Sequence, residues 1–406
     1  MSMKKQMAML LAAGMVFGLA GSASAEEVTE VTLKVWTPQE DQANADSWLQ
    51  QMEAQFEADH PEYKMTWVNE VCGEDVARDQ VTKDPAAAAD VYMFANDQLG
   101  TLISANAIAK LGGSYLEQVM ADNSESMIAS VSTADGSVYG FPNAANTWFC
   151  YYNKDVYTEE DVTSLETMLE KGVVAFQSKG GWYNGAFFFA NGAEAYGPNG
   201  NDLEAKINFG PDGGVAALNT MIEIFNHPNF RTDADGLGYS GMQSGEVSAY
   251  FSGSWEYEGL KEALGDKLGA CQPPTAIIDG EAKTMKSFAG SKAVAVNPNC
   301  AVPKAAMQFA AYLASVDGQK LRYELRSAIP VATSLASDPA IAEDIVAVAI
   351  MNTVANASVL QPVQGMDQWW SNMETLGSNI INGSVTADNA EDSLAKTLEL
   401  INDTGL

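Results

Sequence analysis

The pattern of apolar and polar positions predicts strands that alternate with helices. Residues 31–35 alternate apolar and polar side chains, which is typical of a half-buried strand. Apolar residues between 49 and 56 then recur at helical spacing until Pro61. Further strands are predicted at 65–68, 90–94, 173–176, 249–251 and 293–296. Helices are predicted at 103–111, 161–171, 213–226 and 303–315, and the region 340–402 reads as helix with Gly and Asn breaks. This alternation predicts α/β domains with mainly parallel sheets.

The chain of 406 residues has room for two or three domains, at about 150 residues per domain. It contains neither an internal repeat nor a low-complexity segment, and no Pro/Ser-rich linker separates two halves. Any division into domains must therefore be made by chain segments that cross between them.

The first 25 residues predict an export signal. Lys4 and Lys5 precede an apolar stretch over 7–20, and Ala23 and Ala25 form a small-residue cleavage site. The apolar stretch is shorter than the ~20 residues that a membrane anchor needs. We therefore expect a signal peptide at 1–25 and a protein that works outside the cytoplasm, in a periplasm or at the cell surface. No cysteine lies near the cleavage site, so no lipid anchor is indicated.

Charge excludes several classes of partner. The chain has 22 Lys and Arg against 53 Asp and Glu, which gives a net charge of −31. Nucleic acids and anionic membranes are bound through clustered Lys and Arg, so neither is an expected partner. The two histidines, His60 and His227, leave little scope for a His-based catalytic or metal centre. We expect no cofactor and no metal.

The four cysteines do not form a recognisable motif. None of them has the C-x-x-C spacing of metal or redox sites. In an exported protein they allow two disulfides in three pairings, and four buried thiols are an equally good interpretation. The sequence does not choose among these. The cysteines are Cys72, Cys150, Cys271 and Cys300.

Two apparent ligand motifs fail on context. Residues 236–241 (GLGYSG) fit G-x-G-x-x-G, but a loop precedes them where a dinucleotide site needs a strand. Residues 233–236 (DADG) resemble the start of a calcium loop, which then lacks its third acidic ligand and its bidentate Glu. We reject both sites.

The tryptophans are more informative than these motifs. Four of the eight tryptophans lie among Gly, Asn, Ser and carboxylates, in the segments 180–184 (GGWYN), 252–257 (SGSWEY) and 368–371 (QWWS). Flat indole rings stack on the C–H faces of sugars, while carboxylates and amides bond the hydroxyls. Asn96 and Asp97 follow the strand at 90–94, and ligands of α/β sheets bind at such strand ends. The pattern indicates a sugar site.

The mature chain resembles the extracellular solute-binding proteins of sugar ABC transporters, in the maltose/maltodextrin-binding group. The resemblance rests on 35–41 (VWTPQED), 89–100 (ADVYMFANDQLG), 139–146 (YGFPNAAN), 152–155 (YNKD), 251–255 (FSGSW) and 288–290 (FAG). It implies a two-lobed α/β periplasmic-binding-protein fold of type II, with the sugar in the cleft between the lobes. The implied N-lobe is 26–143 plus about 290–337, and the implied C-lobe is 144–289 plus about 338–406.

The resemblance also implies a set of binding residues. Glu40 or Asp41, together with Asp97, would bond sugar hydroxyls from the N-lobe, where Phe94 would offer an apolar face. The other candidates are Gln98, Asn146, Trp148, Trp182, Trp255, and Trp369 or Trp370. The sequence departs from the maltose pattern at several of these positions, where Gln98 replaces an Arg, Asn146 a cleft Glu, and Phe94 a Trp. The hydrogen-bonding set has therefore changed, while the stacking residues remain.

The sequence thus predicts a monomeric binding protein that closes on a neutral oligosaccharide and delivers it to a membrane permease. The alternative is a secreted glycoside hydrolase, which needs two carboxylates about 5–9.5 Å apart. Glu256 and Glu258, next to Trp255, are the candidates for that pair. A binding protein for peptides, polyamines or metal would have the same architecture, and the aromatic and amide side chains argue against metal.

Overall fold

The computed structural model describes residues 28–403, except 198–199, 201, 211–212, 235 and 364. The predicted export signal at 1–25 lies outside these residues. The strands are β1 (Thr29–Thr37), β2 (Tyr63–Val71), β3 (Val91–Ala95), β4 (Phe141–Asn146), β5 (Phe149–Asn153), β6 (Val174–Phe176), β7 (Glu194–Ala195), β8 (Ile207–Asn208), β9 (Phe230–Thr232), β10 (Ala249–Ser252), β11 (Leu268–Cys271), β12 (Thr275–Ile278), β13 (Glu281–Thr284), β14 (Ser287–Val296) and β15 (Ser358–Leu360).

Helices follow most of these strands. The helices are α1 (Trp48–Asp59), α2 (Ala77–Val81), α3 (Leu99–Ser104), α4 (Gly113–Asp122), α5 (Glu125–Ala129), α6 (Leu165–Lys171), α7 (Gly181–Asn184), α8 (Ala186–Ala190), α9 (Gly213–Phe225), α10 (Leu237–Ser244), α11 (Tyr257–Leu264), α12 (Pro303–Leu313), α13 (Val316–Arg326), α14 (Pro339–Ala342), α15 (Ile345–Asn356), α16 (Asp367–Ile381) and α17 (Ala390–Asn402).

Two sheets organise the chain. The first sheet has the order β15-β14-β3-β1-β2, with β4 also paired to β14, and the second has the order β11-β5-β10-β6-β9. The prediction of mainly parallel sheets holds only in part: β1 is parallel to β2 and β3, β14 to β15, and β6 to β9 and β10, whereas β14 runs antiparallel to β3 and β4, and β5 runs antiparallel to β10 and β11. Alternation of strands and helices does not reveal these antiparallel pairs, since most of them join segments far apart along the chain.

Each sheet has its own core. The first sheet packs against α1 and α12, where Phe56 and Phe309 are fully buried. The second sheet is covered on one face by α8, α9 and α16 and on the other by α10, α11 and α15. Burial on both faces explains why β3, β5 and β10 read as almost continuous apolar runs.

The chain crosses between the sheets at β4 and β5, which only Thr147 and Trp148 separate. Beside this crossing the main chain of Ala145 donates to Ile329 O at 2.9 Å, and β14 pairs with β4. The lobe boundaries predicted at 143/144 and 289/290 fall within these paired strands, and they remain a prediction.

Most predicted elements are present, and one predicted helix is absent. The helix predicted at 103–111 is wrong, since α3 ends at Ser104 and Leu111 N bonds Val138 O in extended chain. The apolar residues of this segment are buried although they lie in a loop, so their helical spacing does not indicate a helix. The C-terminal region is helical as expected, apart from β15. The strands β4, β5, β7–β9 and β11–β13 were not predicted.

Trp36 and Trp67 lie on β1 and β2 of the first sheet, and both are only half-buried. Trp67 packs on Phe309 at a centroid distance of 4.6 Å and donates from Nε1 to Glu57.

The four cysteines are free thiols. Over the part of the chain that is described, no helix is long and apolar enough to cross a membrane.

Candidate functional site

A cavity of about 460 Å³ lies where strand ends of the two sheets face each other. Its walls come from both cores, because the main-chain turns after β3 and β10 and the ends of β4 and β15 all open toward it. The lining residues are Glu74, Asp75, Ala95, Asp97, Gln98, Asn146, Trp182, Tyr183, Trp255, Lys292, Gln361 and Trp370. A site built from both cores is positioned for a ligand that both lobes contact.

A second chamber of about 370 Å³ adjoins the first. The two share Glu74, Asp75, Trp255 and Lys292, so the cleft continues past the Trp255 ring. Glu40 lies in this second chamber. The Trp255 ring therefore borders both chambers of the cleft.

Two tryptophans form one wall of the cavity. The rings of Trp182 and Trp255 stack at a centroid distance of 6.0 Å and an interplanar angle of 30°. Trp255 is 51% exposed, which leaves a large apolar surface open to a ligand. A Cβ at Gly253 would lie 2.1 Å from the Trp255 ring, so the glycine of the Gly-Ser-Trp segment is what allows the ring to fold back over its own turn.

A chain of buried charges supports the opposite wall. Arg322, with 4% of its side chain exposed, bonds Asp41 at 2.6 Å and Glu74 at 2.8 Å. Lys292 lies 3.6 Å from Glu74 and 5.7 Å from the centroid of the Trp255 ring. Burial raises the pKa of Glu74, but the charges of Lys292 and Arg322 outweigh it and bring the value to about 2. Glu74 is therefore a fixed negative charge at the cavity.

The pKa of Asp97 is raised, whereas that of Glu74 is lowered. Burial raises the pKa of this carboxyl group to about 6, and Asp367 also raises it, while a main-chain hydrogen bond and the charge of Arg78 lower it. Arg78 and Asp367 are joined by an ion pair of 2.8 Å. Asp97 therefore changes its charge near pH 6.

The structure brings six of the predicted site residues to the first chamber: Asp97, Gln98, Asn146, Trp182, Trp255 and Trp370. Gln98 uses its amide on main-chain groups, with Nε2 donating to Glu74 O at 2.7 Å and Oε1 accepting from Arg78 N at 2.8 Å. It shapes the wall of the cavity through these bonds.

Two predicted contacts from the first sheet are corrected. Asp41 is fully buried and both of its carboxylate oxygens accept from Arg322, so a sugar hydroxyl has no access to it. Phe94 is also fully buried, with its ring packed over Gly140, where a Cβ would come within 3.0 Å. Its side chain points into the core of its own sheet.

Two predicted tryptophans are corrected as well. Trp369 is fully buried, stacks on Phe189 at 5.5 Å and donates from Nε1 to Gly181 O at 2.9 Å. Trp148 is fully buried and donates from Nε1 to Trp182 O at 2.9 Å. Trp148 therefore supports a cavity residue from behind, and Trp370 is the member of the late pair that lines the cavity.

Sequence reasoning missed Glu74, Asp75, Lys292 and Gln361. Glu74 and Asp75 come just after β2, so the rule that strand ends carry sites would have found them. Lys292 lies two residues beyond the Phe-Ala-Gly segment of β14. Gln361 has no local signal, because only β15 brings it to the cavity.

The carboxylates proposed for hydrolysis lie elsewhere. Glu256 and Glu258 do not line either chamber, and Glu258 accepts a hydrogen bond from Ser327 at 2.6 Å. Among the residues that the structure describes, no group of His, Cys, Asp and Glu could hold a metal ion.

Comparisons with known proteins agree with this arrangement. A family model described as bacterial extracellular solute-binding protein matches residues 51–348. The maltooligosaccharide ABC transporter solute-binding lipoprotein of Streptococcus pneumoniae is 25% identical over 319 residues, which cover 74% of this chain and 73% of the relative. The galactooligosaccharide-binding protein of Bacillus subtilis is 25% identical over 325 residues, which cover 76% of each chain.

Solved structures extend the likeness over most of the chain. A structure described as being with acarbose is 42% identical, with a TM-score of 0.89, and the match covers 93% of this chain and 100% of the other. The maltodextrin-binding protein MalE1 of L. casei, solved without ligand, is 25% identical with a TM-score of 0.84, over 92% and 100% of the two chains. These matches confirm both the two-lobed fold and the resemblance to the maltodextrin-binding group. The chain belongs to the bacterial extracellular solute-binding protein family.

Proposed function

We propose that this protein binds a neutral oligosaccharide of the maltodextrin class in its interlobe cleft and delivers it to the permease of an ABC importer. The observation that carries the proposal is the cavity between the two cores, in which Trp182, Trp255 and Trp370 face Asp97 and Asn146. The names of the relatives from Streptococcus pneumoniae and Bacillus subtilis support an oligosaccharide ligand.

The chemistry of the cavity fits a sugar chain. The stacked indole rings offer flat apolar surface to the C–H faces of the pyranose rings. Carboxylates accept hydrogen bonds from hydroxyls, and the Asn146 amide can both accept and donate. The adjoining second chamber gives an elongated ligand room to continue past Trp255.

Closure of the lobes would follow from contacts made on both sides. A ligand shifts an equilibrium toward the closed form only when it binds that form better. The ion pair from Arg78 on α2 to Asp367 on α16 and the hydrogen bond from Ser327 to Glu258 already join the two cores at the cleft. We propose the lobes as 26–143 plus about 290–337 and 144–289 plus about 338–406, with the protein exported and acting without catalysis.

The ligand class is tested by titrating the purified protein with malto-oligosaccharides and following tryptophan fluorescence, with galacto-oligosaccharides, amino acids and polyamines as comparisons. We expect micromolar or tighter binding of a neutral glycan, about −8 kcal/mol or better. Chromatography of the same mixtures should show the glycan uncleaved. A response only to an amino acid, polyamine or anion would refute the ligand class, and cleavage would refute the absence of catalysis.

Binding should weaken in acid because of Asp97. Its pKa of about 6 means that the carboxyl group gains a proton as the pH falls through that value, after which it no longer accepts freely from sugar hydroxyls. Affinity should be constant above pH 7 and fall by up to about tenfold by pH 5, as one pH unit below a pKa changes the ionised fraction tenfold. Asp97→Asn should bind more weakly at pH 7.5 and show no such fall. A wild-type profile that is flat from pH 5 to 8 would contradict the role given to Asp97.

A further inference from the structure

Gln361 is a buried polar residue at the cavity whose main chain is fixed to the first sheet. Its side chain and main chain together are only 2% exposed, although it lines the cavity. Its N–H donates to Ala289 O on β14 at 2.8 Å, and its carbonyl oxygen accepts from Asn96 Nδ2 at 3.1 Å. The position of this residue is therefore set by the first core.

The side chain of Gln361 reaches across to the second core. Its Oε1 accepts a hydrogen bond of 3.0 Å from Nε1 of Trp182, which lies on α7. Trp182 in turn stacks on the half-exposed Trp255. The other end of the same amide is a donor, and Asp97 lines the same chamber. A residue whose main chain pairs with the first sheet thus supports the aromatic wall of the cavity.

We infer that Gln361 is a positioning residue for ligand binding, which fixes the Trp182 ring against Trp255 by accepting from the indole N–H. The inference rests on the proposed function and adds to it the residue that orients the aromatic wall of the cavity. Without this acceptor the half-buried indole N–H would lose its hydrogen-bond partner, which favours rotation of the ring.

The coupling to Trp182 is tested by a double-mutant cycle with maltotetraose and, in parallel, acarbose as ligands in calorimetry. Q361L removes the acceptor, and W182F removes the N–H donor while it keeps an aromatic ring. Each change should weaken binding by about tenfold, the expected effect of losing a buried hydrogen bond. The double variant should bind no more weakly than the weaker single variant, because both changes remove the same bond.

Gln118 provides the matched control. Its Nε2 donates to Ala311 O at 3.0 Å on the outer face of the first core, away from both chambers. Q118L should leave the affinity at its wild-type value. The inference is overturned if Q361L binds within twofold of wild type, or if its effect multiplies with that of W182F. If the wild-type protein binds neither ligand, the proposed function itself fails, and the inference falls with it.

Discussion

Trp255→Ala is expected to weaken binding of the glycan by roughly 30-fold or more while the protein melts close to the wild-type temperature. Truncation of an aromatic anchor typically costs about 2 kcal/mol or more of binding free energy, at ~1.4 kcal/mol per tenfold change in affinity. The ring stands between the two chambers, is 51% exposed and stacks on Trp182, so it contributes little to either core. Fluorescence or calorimetric titration gives the affinity, and calorimetric melting gives the stability.

Trp67→Ala is the matched control for this prediction. Trp67 is half-buried against Phe56 and Phe309 and lines neither chamber, so its loss should lower the free energy of unfolding by up to ~3 kcal/mol, less than for a fully buried ring. The variant should bind the glycan normally at temperatures where it is folded. Binding by Trp255→Ala within twofold of wild type would show that this ring is not a stacking surface.

Arg322→Leu is expected to lower the free energy of unfolding by about 3–5 kcal/mol, the usual cost of removing one partner from a buried ion pair. The variant would leave Asp41 and Glu74 buried, with Arg326 at 3.9 Å from Asp41 and Lys292 at 3.6 Å from Glu74 as the remaining charge partners. It would also remove the bond from Nη1 to Asn143 Oδ1 of 2.8 Å, next to the crossing strand β4. Urea unfolding of wild type and variant at pH 7 measures the difference.

The pH dependence of unfolding tests whether the buried ion pairs of Arg322 cause this loss of stability. The pKa of Glu74 is about 2 in the folded protein, below its ordinary value of 4.5, so the stabilisation is complete above pH 4.5 and is lost as the pH falls toward 2. Arg322→Leu should reduce this acid-dependent loss, because one of the two charges that hold the pKa of Glu74 down is gone while Lys292 remains. Lys64→Gln, which removes an exposed ion pair with Glu30, should change the stability little. If Arg322→Leu lowers the free energy of unfolding as little as Lys64→Gln does, the buried charges are not a source of stability.

The acid-dependent loss of binding and the acid-dependent loss of stability come from different carboxyl groups and occupy different pH ranges. Asp97 titrates near pH 6, where the fold is not affected by Glu74, whose folded pKa is about 2. Weakened binding at pH 5.5 by a fully folded protein would therefore be a property of the cleft. Circular dichroism at the same pH separates the two effects.

Periodicity alone determined much of the secondary structure. The elements β1, α1, α9 and α12 lie within a few residues of their predicted bounds, because each places apolar side chains on one face at a regular interval. The types and order of residues also predicted Asp97, Asn146, Trp182 and Trp255 as site residues, and all four line one cavity. Their common feature is a position next to a strand end or within a glycine-rich turn, which is a local property.

Tertiary structure alone decided how these elements are paired and which neighbouring residues face the ligand. Asp41 and Arg322 are 281 positions apart, and no local sequence pattern predicts that they form a buried ion pair. Gln361 lines the cavity only because β15 pairs with β14. Trp369 and Trp370 are adjacent on α16, where successive side chains point about 100° apart. Packing of Trp369 on Phe189 and Phe288 fixes the rotation of that helix and leaves Trp370 at the cavity. This choice depends on contacts with residues far along the chain, which the local sequence does not contain.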